Sequence, residues 1–453
     1  MTQTTQTCLT GIVSPVKHNE GKFEEASKNN IAALDGVRAM ACILVVLYHS
    51  VGIIYTYWDI SHVPFFLPTL IFFGAKGVTL FFILSGFLLF LPYGQALFFE
   101  RRWPQARIFY LRRILRIVPG YYFSLFAIIL LGKPSYLQPH NWKILFMFLT
   151  FLMTGPQSDQ VNGVYWTLAV EFQYYMLLPL IALGIYGLTR VVRPKQRLWM
   201  IIGSLLIMVI WGLATDYWGS ALFARPDAQT FLDSHPILKV IAFLTYGLPT
   251  NNHNGKFFED FAVGMLLAVC YMVVINASRR DIYQHVLLRL SPWLWWIGVI
   301  LLGFAAWRIG LFTFTDFEVY PAWAIEIAFA LGFGCCVLAV LFNGSGVLKR
   351  FFEWTPLRCL GLISFSLYLW QRPIIDAIGE NVAPTLFKRL SAPMALSLLL
   401  VLEYVVIVCV SFILYVLVEK PGIRLSEALR KKTLYVLRTG DLTLESTGQT
   451  NRT

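Results

Sequence analysis

Ten stretches of this chain are each apolar and long enough to cross a bilayer, roughly 18–25 residues apiece. They sit near 36–56, 67–93, 114–132, 166–188, 198–218, 258–276, 291–309, 323–342, 359–379 and 394–418. In hydrocarbon an unmet backbone N–H or C=O is too costly to leave, so segments of this kind fold as helices. The expected fold class is therefore all-α, a polytopic transmembrane helical bundle of about ten spans. Composition agrees: 57% of the 453 residues are hydrophobic and 14% are charged, against about 25% charged in soluble proteins. A soluble enzyme, a disordered chain and a secreted disulfide scaffold are excluded. A further run, Trp142–Thr154, is only half a span, and is expected to be a re-entrant or interfacial helix beside a cavity.

The net charge is +12, from 37 Lys and Arg against 25 Asp and Glu. With the N-terminus inside, inner segments carry 27 of the basic residues and outer loops 7. That bias predicts an N-in, C-in topology and attributes the charge to loops facing anionic lipid, with no nucleic-acid partner. The expected organisation is a polar cytoplasmic segment at 1–33, a transmembrane domain at 34–425 and a basic, then disordered, tail at 426–453. Glu20, Glu24 and Glu25 argue against a cleavable signal peptide. The seven cysteines are odd in number and form no CxxC. They read as small buried hydrophobes, and no metal constellation is visible. No internal repeat of the kind found in secondary transporters appears.

Ionisable residues within spans are the functional candidates, because each is costly to place there. Of seven histidines only His49 lies in a span. Arg38 and His49 are eleven residues apart, which returns to nearly the same helix face, roughly 16 Å along the axis. Asp35 falls on nearly the same stripe. Such a face suits an anion site at one end and a proton-handling group at the other. The competing account is a His bonded to a neighbouring helix and an Arg reaching lipid phosphate. Arg112, Arg113 and Arg116 stand just before the third span, Arg112 and Arg116 on one face. They fit a polyphosphate grip, or ordinary positive-inside bias. Glu171, near Gln173 and Tyr175, is expected at a depth similar to His49, where it would support a general base; otherwise it faces an aqueous vestibule. Gly77, Ser85 and Gly86 permit close helix approach, and Ser85 either contacts a ligand or bonds its own helix. Lys76 reads as a snorkelling or cavity-facing residue.

Taken in order, these segments resemble the membrane-bound acyltransferase family 3. The opening Leu34–Ser50 carries the Arg and His of that family's first helix. Gly77–Leu88 is similar to its GVDLFFVLSGFL helix, and Arg112, Arg113, Arg116, Ile117, Pro119, Tyr121 and Tyr122 match its RRxxRIxPxYY loop. Trp166, Leu168, Val170, Glu171, Gln173, Tyr175 and Pro179 match a further helix, Leu360–Pro373 the LYLWHxP segment, and Val418–Pro421 the closing VEKP. The resemblance covers about 33–425. Thr79 stands where an acid is common, Thr167 where a Ser is. Gln371 stands where the family has a second His; it still hydrogen-bonds but takes no proton near neutral pH.

The resemblance implies a multi-pass protein of a bacterial cytoplasmic membrane that moves an acyl group, usually acetyl, from cytoplasmic acyl-CoA to a hydroxyl. The acceptor would be a glycan, a lipid-linked sugar or another small molecule. On this expectation His49 and Glu171 are catalytic. Arg38, Arg112, Arg113, Arg116 and Ser85 bind the acyl-CoA, and Asp35, Tyr175, Gln371 and Arg372 serve the acceptor. Both direct transfer and an acyl-His intermediate are compatible. The runner-up is a glycan or lipid transporter without acyl transfer; a third reading, prompted by Gln371, is a member that binds ligand without turnover.

Overall fold

Each apolar run closes its backbone hydrogen bonds within itself, as hydrocarbon demands, and the chain is a helical bundle. The computed structural model describes residues 15–52, 66–99, 101–153, 161–223, 226–238, 257–276, 282–315, 322–342 and 346–431. The first half comprises α1 (Pro15–Gly52), α2 (Phe66–Ala75), α3 (Gly77–Phe99), α4 (Ala106–Gly132), α5 (Trp142–Leu149), α6 (Tyr165–Val191), α7 (Arg197–Phe223) and α8 (Pro226–Ser234). The second comprises α9 (Phe258–Asn276), α10 (Ile282–Thr315), α11 (Ala322–Phe342), α12 (Val347–Phe352), α13 (Thr355–Leu362), α14 (Ser364–Asn381), α15 (Ala383–Arg389) and α16 (Ala392–Leu414). No strand occurs among the described residues.

Eight helical segments among the described residues are long and apolar enough to cross a membrane, and they coincide with eight of the ten expected runs. The run at 258–276 is α9, almost wholly buried in the bundle. The run at 359–379 is broken at Ile363 into α13 and α14. Helix α1 runs unbroken through the expected boundary at 33–34, and helix continues to 431 inside the expected tail; residues 1–14 and 432–453 lie outside the described ones.

Glycines set the closest crossings. A Cβ on Gly86 would lie 2.2 Å from the Phe261 carbonyl oxygen, and one on Gly264 2.1 Å from that of Ile83. Helices α3 and α9 therefore touch backbone to backbone, with no room for any side chain. Gly36 and Gly361 do the same for α1: added Cβ atoms would lie 2.0 Å from the Phe352 oxygen and 1.9 Å from the Asp35 oxygen. This clamps the helix that carries Arg38 and His49. The second apolar run breaks at Lys76, which pairs with Glu326 of α11 and lies over the Phe329 ring at 5.4 Å. Lys76 is thus an interhelical ion-pair partner and not the snorkelling residue its position suggested. Apolar side chains left outside the bundle, such as Ile207, Ile210 and Trp211 on α7 and Trp296, Ile300 and Phe304 on α10, form the face that hydrocarbon covers.

The half-span folds as the 8-residue helix α5, with Thr154 outside the described residues. Its end is tied inward. The hydroxyls of Tyr121 and Tyr122 donate to the carbonyls of Phe148 and Leu149, and Gln173 donates to that of Phe151 at 2.6 Å. Phe151 takes a left-handed φ of 56°, and its ring stacks on Phe172 at 4.2 Å.

Candidate active site

A cavity of about 730 Å³ opens among α1, α3, α4, α6 and the start of α14. None of the described half-span residues lines it. Its wall combines three kinds of side chain. Phe81, Phe82, Leu88 and Phe365 are apolar; Arg38, Arg102, Arg112, Arg113 and Arg116 are basic; Ser85, Thr167, Glu171, Tyr175 and Tyr368 carry oxygens. The i, i+4 spacing of Arg112 and Arg116 on α4 places both at the wall. No ion pair reaches Arg112, Arg113 or Arg116 among the described residues. Arg113 lies over the Tyr175 ring, 5.8 Å from its centroid, and its buried Nε has no hydrogen-bond partner. Three guanidinium groups that make no ion pair with the described residues, at one cavity wall, suit an anionic ligand.

Glu171 is held from two sides. Ser85 Oγ donates to its Oε1 at 2.5 Å, and the Tyr175 hydroxyl donates to the same oxygen. Ser85 therefore bonds a carboxylate across the bundle and not its own helix. Nearby, the Thr167 and Tyr368 hydroxyls meet at 2.7 Å, so the Thr that stands for a Ser keeps its hydroxyl in use. Asp35 forms a 3.5 Å ion pair with Arg38 and does not line the cavity.

His49 sits apart from this cluster. No hydrogen bond joins it to Glu171; its Nδ1 lies 3.5 Å from Gln371 Oε1, the outer limit of a hydrogen bond, and its ring meets Tyr48 at 5.1 Å. Arg372 lies within electrostatic reach of His49 and pairs with Asp376 at 2.9 Å. Beside them Gln371 Nε2 is buried without a hydrogen-bond partner. The expected site thus falls into two polar centres. Arg38, Ser85, Arg112, Arg113, Arg116, Glu171 and Tyr175 share the cavity, while His49, Gln371 and Arg372 form a second group further along α1 and α14 that does not line it.

Reading the sequence did not single out Tyr368, Arg102 or Trp103 for the cavity wall. Tyr368 lies in the SLYLW segment, whose pattern marked it as a unit without saying which face looks inward.

The sequence profile of the acyltransferase domain family, acyltransferase 3, matches residues 31–227. Among curated proteins, the O-acetyltransferase OatA of Staphylococcus aureus is 24% identical over 376 residues, 78% of this chain and 52% of its own. The peptidoglycan O-acetyltransferase OatA of Listeria monocytogenes is 22% identical over 396 residues, 80% of this chain and 53% of its own. A Bacillus subtilis relative is 24% identical over 415 residues, 86% of this chain and 54% of its own. The chain spans about half the length of these relatives. No solved structure matches it.

Proposed function

We propose that this multi-pass membrane bundle, whose residues 31–227 match the acyltransferase 3 domain family, is an O-acyltransferase that moves an acetyl group from acetyl-CoA to a hydroxyl-bearing glycan. The observation that carries this reading is the cavity wall on which Arg112, Arg113 and Arg116 stand with no ion pair among the described residues, beside the Ser85–Glu171–Tyr175 cluster. Guanidinium groups grip phosphates in a fork, and the apolar stretch of Phe81, Phe82 and Leu88 suits an uncharged arm. These residues fit a thioester donor whose phosphates enter from the cytoplasmic side.

His49 is the general base of the proposal, because imidazole is the side chain that accepts and returns a proton near neutral pH. It takes the proton of the acceptor hydroxyl as the oxygen bonds to the thioester carbonyl. It then returns that proton to the departing thiolate, so the reaction releases no net charge. Gln371 holds the imidazole from the far side, and Arg372 with Asp376 stands where an acceptor would approach. Glu171, oriented by Ser85 and Tyr175, balances the charge of Arg38 and Arg113 at the donor end. That the named relatives are O-acetyltransferases, one of them of peptidoglycan, supports a glycan acceptor.

The test is release of free CoA from acetyl-CoA by purified membranes with an envelope fraction as acceptor. The wild type is compared with His49→Ala at equal insertion. Release lost in the variant is expected. Equal release in both would remove His49 from the chemistry, and acceptor transport without any CoA release would replace this reading with the transporter.

A further inference from the structure

The closing Val418–Pro421 run has had no role so far, and its geometry supplies one. Pro421 has no N–H and its ring excludes the carbonyl one turn back, so an α-helix cannot pass it unchanged. The chain answers with a π turn at Tyr415–Glu419, in which the Lys420 N–H reaches the Tyr415 carbonyl five residues back. A π turn inserts one residue and so re-aims the side chains on either side of it by about 100°. Glu419 is thereby turned into the bundle. It is 3% exposed and accepts a hydrogen bond from Ser366 of α14.

What Glu419 meets there is the arginine helix, α4, at the face that Gly120 shares with Arg116. A Cβ on Gly120 would lie 3.5 Å from Glu419 Cγ, and one on Gly422 2.4 Å from the Leu115 carbonyl oxygen. The two helices are therefore in backbone contact at Leu115 and Gly422, and the Glu419 side chain packs beside Gly120. Arg116 lines the donor cavity and lies within electrostatic reach of Glu419 without pairing to it. A buried carboxylate is costly unless hydrogen-bonded and opposed by positive charge; the Ser366 hydrogen bond and the Arg116 charge offset part of that cost here.

We propose that Glu419 is a positioning residue for the donor site: delivered by the π turn and held by Ser366, its carboxylate draws the Arg116 guanidinium into the orientation in which it faces the donor phosphate. The proposal rests on the donor reading above. On this proposal the carboxylate acts on the guanidinium from within the bundle, while the guanidinium faces the cavity that takes the phosphate. The carboxylate orients the Arg fork without occupying it, as outer-rank carboxylates orient metal-binding histidines.

The experiment measures binding of radiolabelled acetyl-CoA, and turnover with acetyl-CoA and with S-acetyl-pantetheine, by the purified full chain in nanodiscs. Glu419→Gln keeps shape and the Ser366 contact but removes the charge. It is expected to weaken acetyl-CoA binding about tenfold while leaving turnover of S-acetyl-pantetheine, which offers Arg116 no nucleotide phosphates, unchanged. Glu419→Asp should recover part of the loss. The double variant with Arg116→Ala should bind no worse than Arg116→Ala alone. Equal loss with both donors, additive losses, or wild-type binding by Glu419→Gln would overturn the proposal. If Glu419→Gln does not fold, Ser366→Ala, which removes only the hydrogen bond, is expected to show the same donor-selective loss, and wild-type binding or equal loss with both donors would overturn the proposal. Failure of the wild type itself to bind acetyl-CoA would instead overturn the donor reading, and this one with it.

Discussion

Ser85 donates its hydroxyl to Glu171 Oε1 at 2.5 Å, joining α3 to α6 in the wall of the cavity. Tyr175 bonds the same oxygen, so the carboxylate is oriented by two donors and makes no hydrogen bond to His49. Hydrogen bonds to a charged group are worth about 1.5–3 kcal/mol each. Ser85→Ala and Tyr175→Phe should each lower CoA release by about one to two orders of magnitude, and Glu171→Gln should lower it at least as far. Wild-type rates in Glu171→Gln would remove this cluster from the reaction.

The arginine wall predicts recognition by phosphate. Adenosine bisphosphate, which has the phosphates but no thioester, should compete with acetyl-CoA in a binding assay, and adenosine should not. Raising salt should weaken acetyl-CoA binding through screening, and Arg112→Ala or Arg113→Ala should flatten that dependence. Competition by adenosine alone would place recognition on the base.

The glycine crossing between α3 and α9 predicts a steep steric response. Gly86→Ala pushes a methyl group to 2.2 Å from a backbone oxygen, which no rotamer change relieves. It should cost about 1–3 kcal/mol, visible as a lowered Tm in detergent. Gly203→Ala, where nothing lies within 4 Å of the added Cβ, is the control and should be neutral or slightly stabilising in its helix. A Tm for Gly86→Ala equal to that of the control would mean the two helices are not in backbone contact.

Lys76 and Glu326 predict non-additivity. Removing either one strands the other charge inside the bundle, a loss of a few kcal/mol, whereas Lys76→Met with Glu326→Leu should retain most of the stability. A double-mutant cycle on thermal unfolding reads the coupling directly. Additive losses would show that the pair contributes nothing as a pair.

The N-in, C-in orientation can be read by cysteine labelling. In a cysteine-free background, Lys388→Cys should react with an impermeant maleimide on intact cells, and Lys195→Cys only after permeabilisation. The reverse pattern would invert the proposed direction of transfer.

Much of the site was legible because its parts follow from spacing on single helices. Arg112 and Arg116 had to share a face, and both reach the cavity. The glycines at 77 and 86 had to mark close contacts, and they do. Where two helices had to be compared, depth alone was too weak a guide. Glu171 and His49 were expected to meet because each sits about two turns inside its span. Depth fixes neither the helix rotation nor which neighbour stands between, and Glu171 faces Ser85 instead. The break at Ile363 was hidden for a related reason: a buried polar turn inside an apolar run leaves the average hydropathy high.

By itself the sequence determined that this chain is a helical membrane bundle, which residues are costly enough within it to be functional, and which of them share a helix face. These follow from hydropathy and helical periodicity, which are local. Only the tertiary structure decided that the arginines of α4 and the carboxylate of α6 line one cavity, that His49 looks toward Gln371, and that a π turn brings Glu419 to Ser366 beside the arginine helix. Those facts depend on the rotation and crossing of helices far apart in the chain. Such crossings are set by glycine contacts and interhelical hydrogen bonds, which no single segment encodes.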